Sequence, residues 1–285
     1  MDLNISHETQ ICNGKIKITG SKSETNRLLL LKAFFKNFKI ENKSNSDDSF
    51  VMESALNSTS DLIDIQHAGT AMRFLTAYFS QLEGREVVLT GSSRMQQRPI
   101  KILVEALKLL GANIEYEKEK GYPPLRIKGK KLYGGSISLP ADISSQYISS
   151  LIMLGSVLDE GIEINLVGKV TSLPYVNMTL DLLTNLGVES DFKGQRIIVK
   201  NSNQIKNSVQ IVESDWSSAS YFFSIAALAD QAHIYLKSYK KNSLQGDSVL
   251  RSIYKDLGVN SRFEGNNLIL TKEKVLLNKR IKWDL

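Results

Sequence analysis

The sequence predicts a mixed α+β (α/β) protein built from repeated strand–helix–strand–helix–strand–strand (βαβαββ) units. Three observations predict it. First, three helical patterns each end in Leu-Gly and run on into strand-like segments: RPIKILVEALKLLGANIEYEKEK, LPYVNMTLDLLTNLGVESDFKGQRIIVK and LQGDSVLRSIYKDLGVNSRFEGNNLILTK. Their glycines, Gly111, Gly187 and Gly258, lie 76 and 71 residues apart, and a fixed period of this kind marks a repeated supersecondary unit. Second, each glycine is preceded, by 43, 43 and 41 residues, by a small polar turn opening an apolar helix: HAGTAMRFLTAYF from Ala68, SSQYISSLIMLG from Ser144 and SSASYFFSIAAL from Ser217. Third, strands connected through helices require a sheet with helices packed on it. A chain of 285 residues suits about two domains.

The elements follow in order. SETNRLLLLKAFF and DDSFVMESALN read as a further copy of the two-helix part, without a Leu-Gly hairpin ending. In GSSRMQQRPI, Pro99 suits the first position of the helix that follows. Gly111, Gly187 and Gly258 sit where a helix C-terminus requires φ > 0. Gly-Gln before RIIVK and Asn-Asn before LILTK supply hairpin turns. The helices of SSQYISSLIMLG and SSASYFFSIAAL are apolar nearly all round, which predicts burial on most faces. The chain closes on IKWDL, which begins like a new strand, whereas a repeat protein ends on a completed or capping unit; the pattern is that of a cut chain, with a short docking tail as the alternative.

Composition narrows the function. Charged residues make up 23% and hydrophobic residues 42%, a globular balance. A net charge of +6 is weak for a nucleic-acid binder, and no nucleic-acid-binding module is present. The single cysteine, Cys12, excludes an internal disulfide or a multi-thiolate zinc site and points to a reducing compartment, the cytoplasm. The apolar stretches Ile148 to Leu158 and Tyr221 to Ala229 are too short to span a bilayer, and the polar start is no export signal. His7, His67 and His233 share no metal-ligand spacing. Neither GxxxxGK[ST] nor GxGxxG occurs, and no histidine sits in a Ser-His-Asp setting.

The chemistry concentrates at helix starts. In ITGSKSETNRLLLL a strand turns through Gly20 and Ser21 into a helix carrying Lys22, Ser23 and, one turn on, Arg27. Free backbone N–H groups, a positive dipole end and two cations there read as an anion site; a serine cap beside a solvated Lys and Arg is the alternative. HAGTAMR repeats the pattern with Gly69, Thr70 as a cap and Arg73, and DISSQY repeats it with Ser144, Ser145 and Gln146. Each alone reads as a plain cap, but three stand in equivalent positions of a repeat. Arg94 and Arg98 flank a turn and suit bidentate contact with carboxylate or phosphate, or else are surface charges.

Six motifs in this order, GSKSETNRLLLL, HAGTAMRFL, GSSRMQQRPI, SSQY, TSLPYV and ESDWSSASYFF, resemble the EPSP synthase (3-phosphoshikimate 1-carboxyvinyltransferase) family of enolpyruvyl transferases over nearly the whole chain. The Lys-Asn start and loop cysteine of the related UDP-N-acetylglucosamine enzymes are absent. The resemblance implies an inside-out α/β architecture of two domains, each of three βαβαββ copies: residues 21–210 as one complete domain, and 1–20 plus 211–285 as part of a second. It implies transfer of the enolpyruvyl group of phosphoenolpyruvate to the 5-hydroxyl of shikimate 3-phosphate, releasing phosphate, with no cofactor, no metal, no nucleic-acid or membrane partner, and a monomer at full length. Carried over residue by residue, Lys22 touches both substrates and is the catalytic candidate. Ser23 and Arg27 hold the shikimate carboxylate, and Ser144, Ser145 and Ser172 meet its phosphate. Gln146 lies between the substrates, Gly69 and Arg94 hold phosphoenolpyruvate, and Arg73 and Arg98 are second-rank candidates. The sequence departs from the common pattern at His67, Thr25 and Phe74, where Asn, Ser and Pro are usual. The family's later Pro-Asp, Lys-Glu-x-x-Arg and Asp-His-Arg motifs, which carry its general acid-base groups, have no counterpart before Leu285, so the 285-residue chain alone is expected to be nearly inactive. A shortened, non-catalytic binder of shikimate 3-phosphate is the alternative.

Overall fold

A computed structural model describes residues 7–170, 172–206 and 209–273. The closing IKWDL lies outside the described residues. The chain divides into two units, one running from Lys22 to Val212 and the other formed by the segments before and after it.

The flanking segment begins with β1 (Ile11–Ile16). The Lys22–Val212 unit opens with α1 (Lys22–Phe35), β2 (Lys39–Glu41) and α2 (Asp47–Asn57). A first full repeat follows as β3 (Leu62–Asp64), α3 (Gly69–Gln81), β4 (Glu86–Thr90), α4 (Ser93–Gln96), α5 (Lys101–Leu109), β5 (Asn113–Tyr116) and β6 (Leu125–Lys128). The second is β7 (Gly135–Pro140), α6 (Ser145–Gly155), β8 (Ile162–Val167), α7 (Leu173–Leu186), β9 (Ser190–Lys193) and β10 (Arg196–Val199), after which comes β11 (Val209–Ile211). The chain then returns to the flanking unit with α8 (Trp216–Leu228), β12 (Gln231–Lys237), α9 (Leu250–Lys255), β13 (Val259–Glu264) and β14 (Asn267–Lys272).

The repeat is explicit in the sheets, whose strand orders are β3-β4-β6-β5, β7-β8-β10-β9 and β1-β12-β14-β13. In each, the first pair is parallel and the remaining pairs antiparallel. Parallel neighbours need a crossover, which α3, α6 and the long return to β12 supply. The opening copy contributes only β2, paired in parallel with β11, and no hairpin. Gly111, Gly187 and Gly258 have φ of 98°, 86° and 79°, the left-handed helix ending that only glycine adopts without strain.

Three expectations need correction. The last hairpin turns at Gly265 (φ 57°) and Asn266, one residue earlier than the Asn-Asn pair, because β14 recruits Asn267 to pair with Glu264. Pro99 is not the first helical residue: α5 starts at Lys101 after Ile100 (φ −140°), and the preceding turn is a separate short helix, α4, capped by Ser92, which accepts from Met95 N. Finally, α6 is buried at every position but Gln146, whereas α8 buries only Trp216, Ala219, Phe223 and Ala226. Equal apolar content has unequal consequences because α6 packs between α3 and α7 over its own sheet, while α8 within its unit meets β12, β13, β14 and α9. Tyr221, Ile225 and Leu228 on its other side are exposed.

Candidate functional site

Inside the Lys22–Val212 unit the buried helices α1, α3 and α6 lie side by side, with α7 against α1 and α6. Their cross-links all lie in the first two turns, so the N-terminal ends share one end of the helix layer. Gln146 Nε2 donates to Thr70 Oγ1 (3.1 Å), joining α6 to α3. The Arg27 guanidinium joins three helices: Nε donates to Thr179 Oγ1 on α7 (2.7 Å), Nη2 to Ser149 Oγ on α6 (3.0 Å) and Nη1 back to Ser23 O on α1 (2.9 Å). Four orphan N–H groups per helix start and the dipole ends therefore add to the side-chain cations.

Electrostatics distinguishes Arg27 from a solvated surface charge. It is 2% exposed and forms no ion pair among the described residues; its side-chain acceptors are neutral. Burial pushes the guanidinium down to about 10, so it remains protonated at neutral pH. Phe74 and Tyr175 place their rings 5.6 and 5.8 Å from its Cζ. A buried cation without a counter-ion is costly. Phe74, a departure from the resembled pattern, thus helps to enclose Arg27, and Thr25, another, accepts from Ser44 N (2.9 Å) to fix the segment before α2.

The other predicted residues have the following settings. Lys22 is half-exposed at the start of α1, 3.4 Å from Asp48. Ser144 caps α6 through a long contact from Gln146 N (3.4 Å), and Ser145 beside it is buried. Ser172 occupies the N-cap position of α7 in the left-handed region (φ 55°), exposed, with its hydroxyl making no cap bond. A serine held there at a cost of about 1–3 kcal/mol is a feature of functional sites. Gly69 is buried at the start of α3, and Arg94 is exposed on α4. Thr70 is not a cap: Ala68 holds that position, and the Thr70 hydroxyl serves Gln146 instead.

Arg73 is the second buried guanidinium, 4% exposed. Its Nη1 donates to Gly69 O (3.1 Å) and its Nη2 to Pro99 O (3.0 Å), while Nε has no partner. Burial lowers its pKa, and the nearby Arg98 charge adds to the lowering. Arg94 and Arg98 form no ion pair among the described residues, and Arg73 and Arg98, both beside the start of α3, have no paired carboxylate among those residues. Sequence reasoning missed Ser149, Thr179 and Tyr147. Ser149 and Thr179 were detectable as polar residues inside otherwise apolar helical runs, positions where a hydroxyl must find a buried partner.

The arrangement can bind a compact polyanion: carboxylate or phosphate oxygens at helix starts, with guanidinium and ammonium groups around them. Among the described residues no group of three or more His, Cys, Asp and Glu could hold a metal, and no helix is long and apolar enough to cross a membrane.

Residues 32–282 match the family model of EPSP synthase (3-phosphoshikimate 1-carboxyvinyltransferase). The 3-phosphoshikimate 1-carboxyvinyltransferase of Bacteroides fragilis (strain YCH46) is 44% identical over 258 residues, covering 90% of this chain and 63% of that protein. The enzyme of the same name from Haemophilus ducreyi is 36% identical, covering 92% and 67%. The solved EPSP synthase of Acinetobacter baumannii superposes with a TM-score of 0.72 at 22% identity, over 91% of this chain and 64% of that one, a likeness of fold. The chain thus spans under two thirds of the Bacteroides relative's length.

Proposed function

The chain belongs to the EPSP synthase family, and on that premise we propose that its Lys22–Val212 unit is the complete domain that binds shikimate 3-phosphate, for transfer of the enolpyruvyl group of phosphoenolpyruvate to the 5-hydroxyl. The flanking unit is then part of the second domain. The observation that carries the reading is Arg27: a buried guanidinium with neutral acceptors, one turn from Lys22 and bonded to the helix that Ser144 and Ser145 begin.

In this reading Ser23 and Arg27 hold the shikimate carboxylate, and Ser144, Ser145 and Ser172 receive the phosphate. Gln146, fixed by Thr70, lies between that ligand and phosphoenolpyruvate, which Gly69 and Arg94 hold. Lys22 exchanges its contact with Asp48 for substrate oxygens. The 5-hydroxyl oxygen bonds to C2 of phosphoenolpyruvate, its proton leaves and C3 gains one; phosphate then departs from C2 as C3 gives up a proton, restoring the double bond. Negative charge resides on phosphate and carboxylate oxygens throughout, so fixed cations and helix N-termini are what the reaction needs.

An amide NMR titration with shikimate 3-phosphate tests the assignment. Saturable shifts at residues 22–27 and 144–146 are expected; shifts elsewhere only, or none in a dispersed spectrum, would overturn it.

A further inference from the structure

Gly69 raises a steric question that the substrate contacts above do not answer. A Cβ built there would lie 2.2 Å from Arg98 Nη1, 2.9 Å from Cζ and 3.0 Å from Nη2. The Arg98 guanidinium therefore rests directly on the backbone of the first residue of α3. The side chain is not stranded there by chance of a loose loop. Arg98 N donates to Met95 O (3.0 Å), and the next carbonyl, Pro99 O, accepts from both Arg73 Nη2 (3.0 Å) and the Tyr147 hydroxyl. Arg73 in turn holds Gly69 O (3.1 Å), and its ring neighbour is Tyr147, 5.7 Å from Cζ. One buried guanidinium thus ties the start of α3 to the turn that carries Arg98.

What this brings together is two guanidinium groups and the free N–H groups of a helix start, with no carboxylate in an ion pair with either arginine among the described residues. Two like charges held this close are tolerated when an anion comes between or beside them. The Arg98 fork has five donors, and no hydrogen bond from its side chain is formed among the described residues. A carboxylate or phosphate at the first N–H groups of α3 would lie within its reach.

We propose that Arg98 is a further contact for the phosphorylated three-carbon acid at the N-terminus of α3, and that a side chain at position 69 costs that contact by displacing the Arg98 guanidinium. The proposal rests on the reading of the previous subsection for the identity of that ligand. A methyl group at position 69 would push the guanidinium off the helix start, so Gly69→Ala and Arg98→Gln remove the same interaction.

The test is a double-mutant cycle on the 285-residue chain, with shikimate 3-phosphate present. Phosphoenolpyruvate and, separately, inorganic phosphate are titrated while the amides of Thr70 and Ala71, which every variant retains, are followed. Arg98 is exposed, so Arg98→Gln keeps the fold. Loss of one charge-assisted contact predicts about tenfold weaker binding for Arg98→Gln. Gly69→Ala weakens binding in the parent background and weakens it by a smaller factor in the Arg98→Gln background, where only the contact at Gly69 itself remains to be lost. Unchanged affinity in Arg98→Gln, or effects of the two substitutions that multiply, overturns the proposal while leaving the substrate reading in place. Phosphate binding that depends on Arg98, with phosphoenolpyruvate bound no better than phosphate, upholds the Arg98 contact and overturns the ligand's identity. No perturbation at these amides by either anion overturns both.

Discussion

Burying the Arg27 guanidinium among neutral acceptors costs free energy that no ion pair among the described residues returns. Thr179 and Ser149 lie 2.9 Å apart and can satisfy one another when the guanidinium is removed. Arg27→Met is therefore expected to move the urea-derived stability by no more than about 1 kcal/mol in either direction, while weakening shikimate 3-phosphate at least about tenfold. A large loss of stability with unchanged affinity would make Arg27 a structural clamp. Glu163 shows the opposite case, a partly exposed carboxyl held below its ordinary value first by the bond from Arg196, then by Asn165. Its folded-state pKa is depressed, so the stability it contributes is present above the ordinary value of 4.5 and is lost as pH falls through the lower folded value. The urea midpoint of Glu163→Gln should consequently lie slightly below that of the parent at pH 7 and converge with it in acid.

At the scale of elements, helices of nearly the same composition meet different fates. Both α6 and α8 are apolar nearly all round, yet Leu228 is 84% and Tyr221 72% exposed on α8. A contiguous apolar face of this kind drives association. Leu228→Lys should shift sedimentation-velocity profiles at high concentration toward the monomer and change stability by no more than about 0.5 kcal/mol; unchanged profiles would show that the face is inert. What the sequence conveyed is what short-range chemistry determines: the three C-terminal glycines, the strand pairs after them, the helix starts at Lys22 and Ser145. What it withheld depends on neighbours far along the chain. The burial of α6 comes from α3 and α7, the role of Thr70 from Gln146, and the seat of Arg27 from Ser149 and Thr179, more than a hundred residues away. Pro99 misled for the same reason, because its carbonyl is held by Arg73 and Tyr147 and the helix start is displaced to Lys101.

The whole chain is asymmetric in a way that bears on which half can act alone. The Lys22–Val212 unit is one continuous stretch, whereas its companion draws β1 from before it and α8 through β14 from after it. The exit of the continuous unit is fastened to its own interior: Val212 N donates to Glu41 O (3.0 Å), Asn42 Nδ2 to Val212 O (2.9 Å), and β11 pairs with β2. Every residue assigned to shikimate 3-phosphate lies within it. Residues 22–212 produced alone should unfold in a single cooperative urea transition and bind shikimate 3-phosphate within about threefold of the 285-residue chain, a difference of under 1 kcal/mol. Deleting residues 1–16 should instead act on the companion, because β12 loses its parallel partner and Ile16 no longer packs against the Trp216 and Phe223 core. If binding vanished in the excised unit but survived the deletion, the ligand contacts would have to extend beyond Val212, and the half-site assigned here to one unit would belong to both.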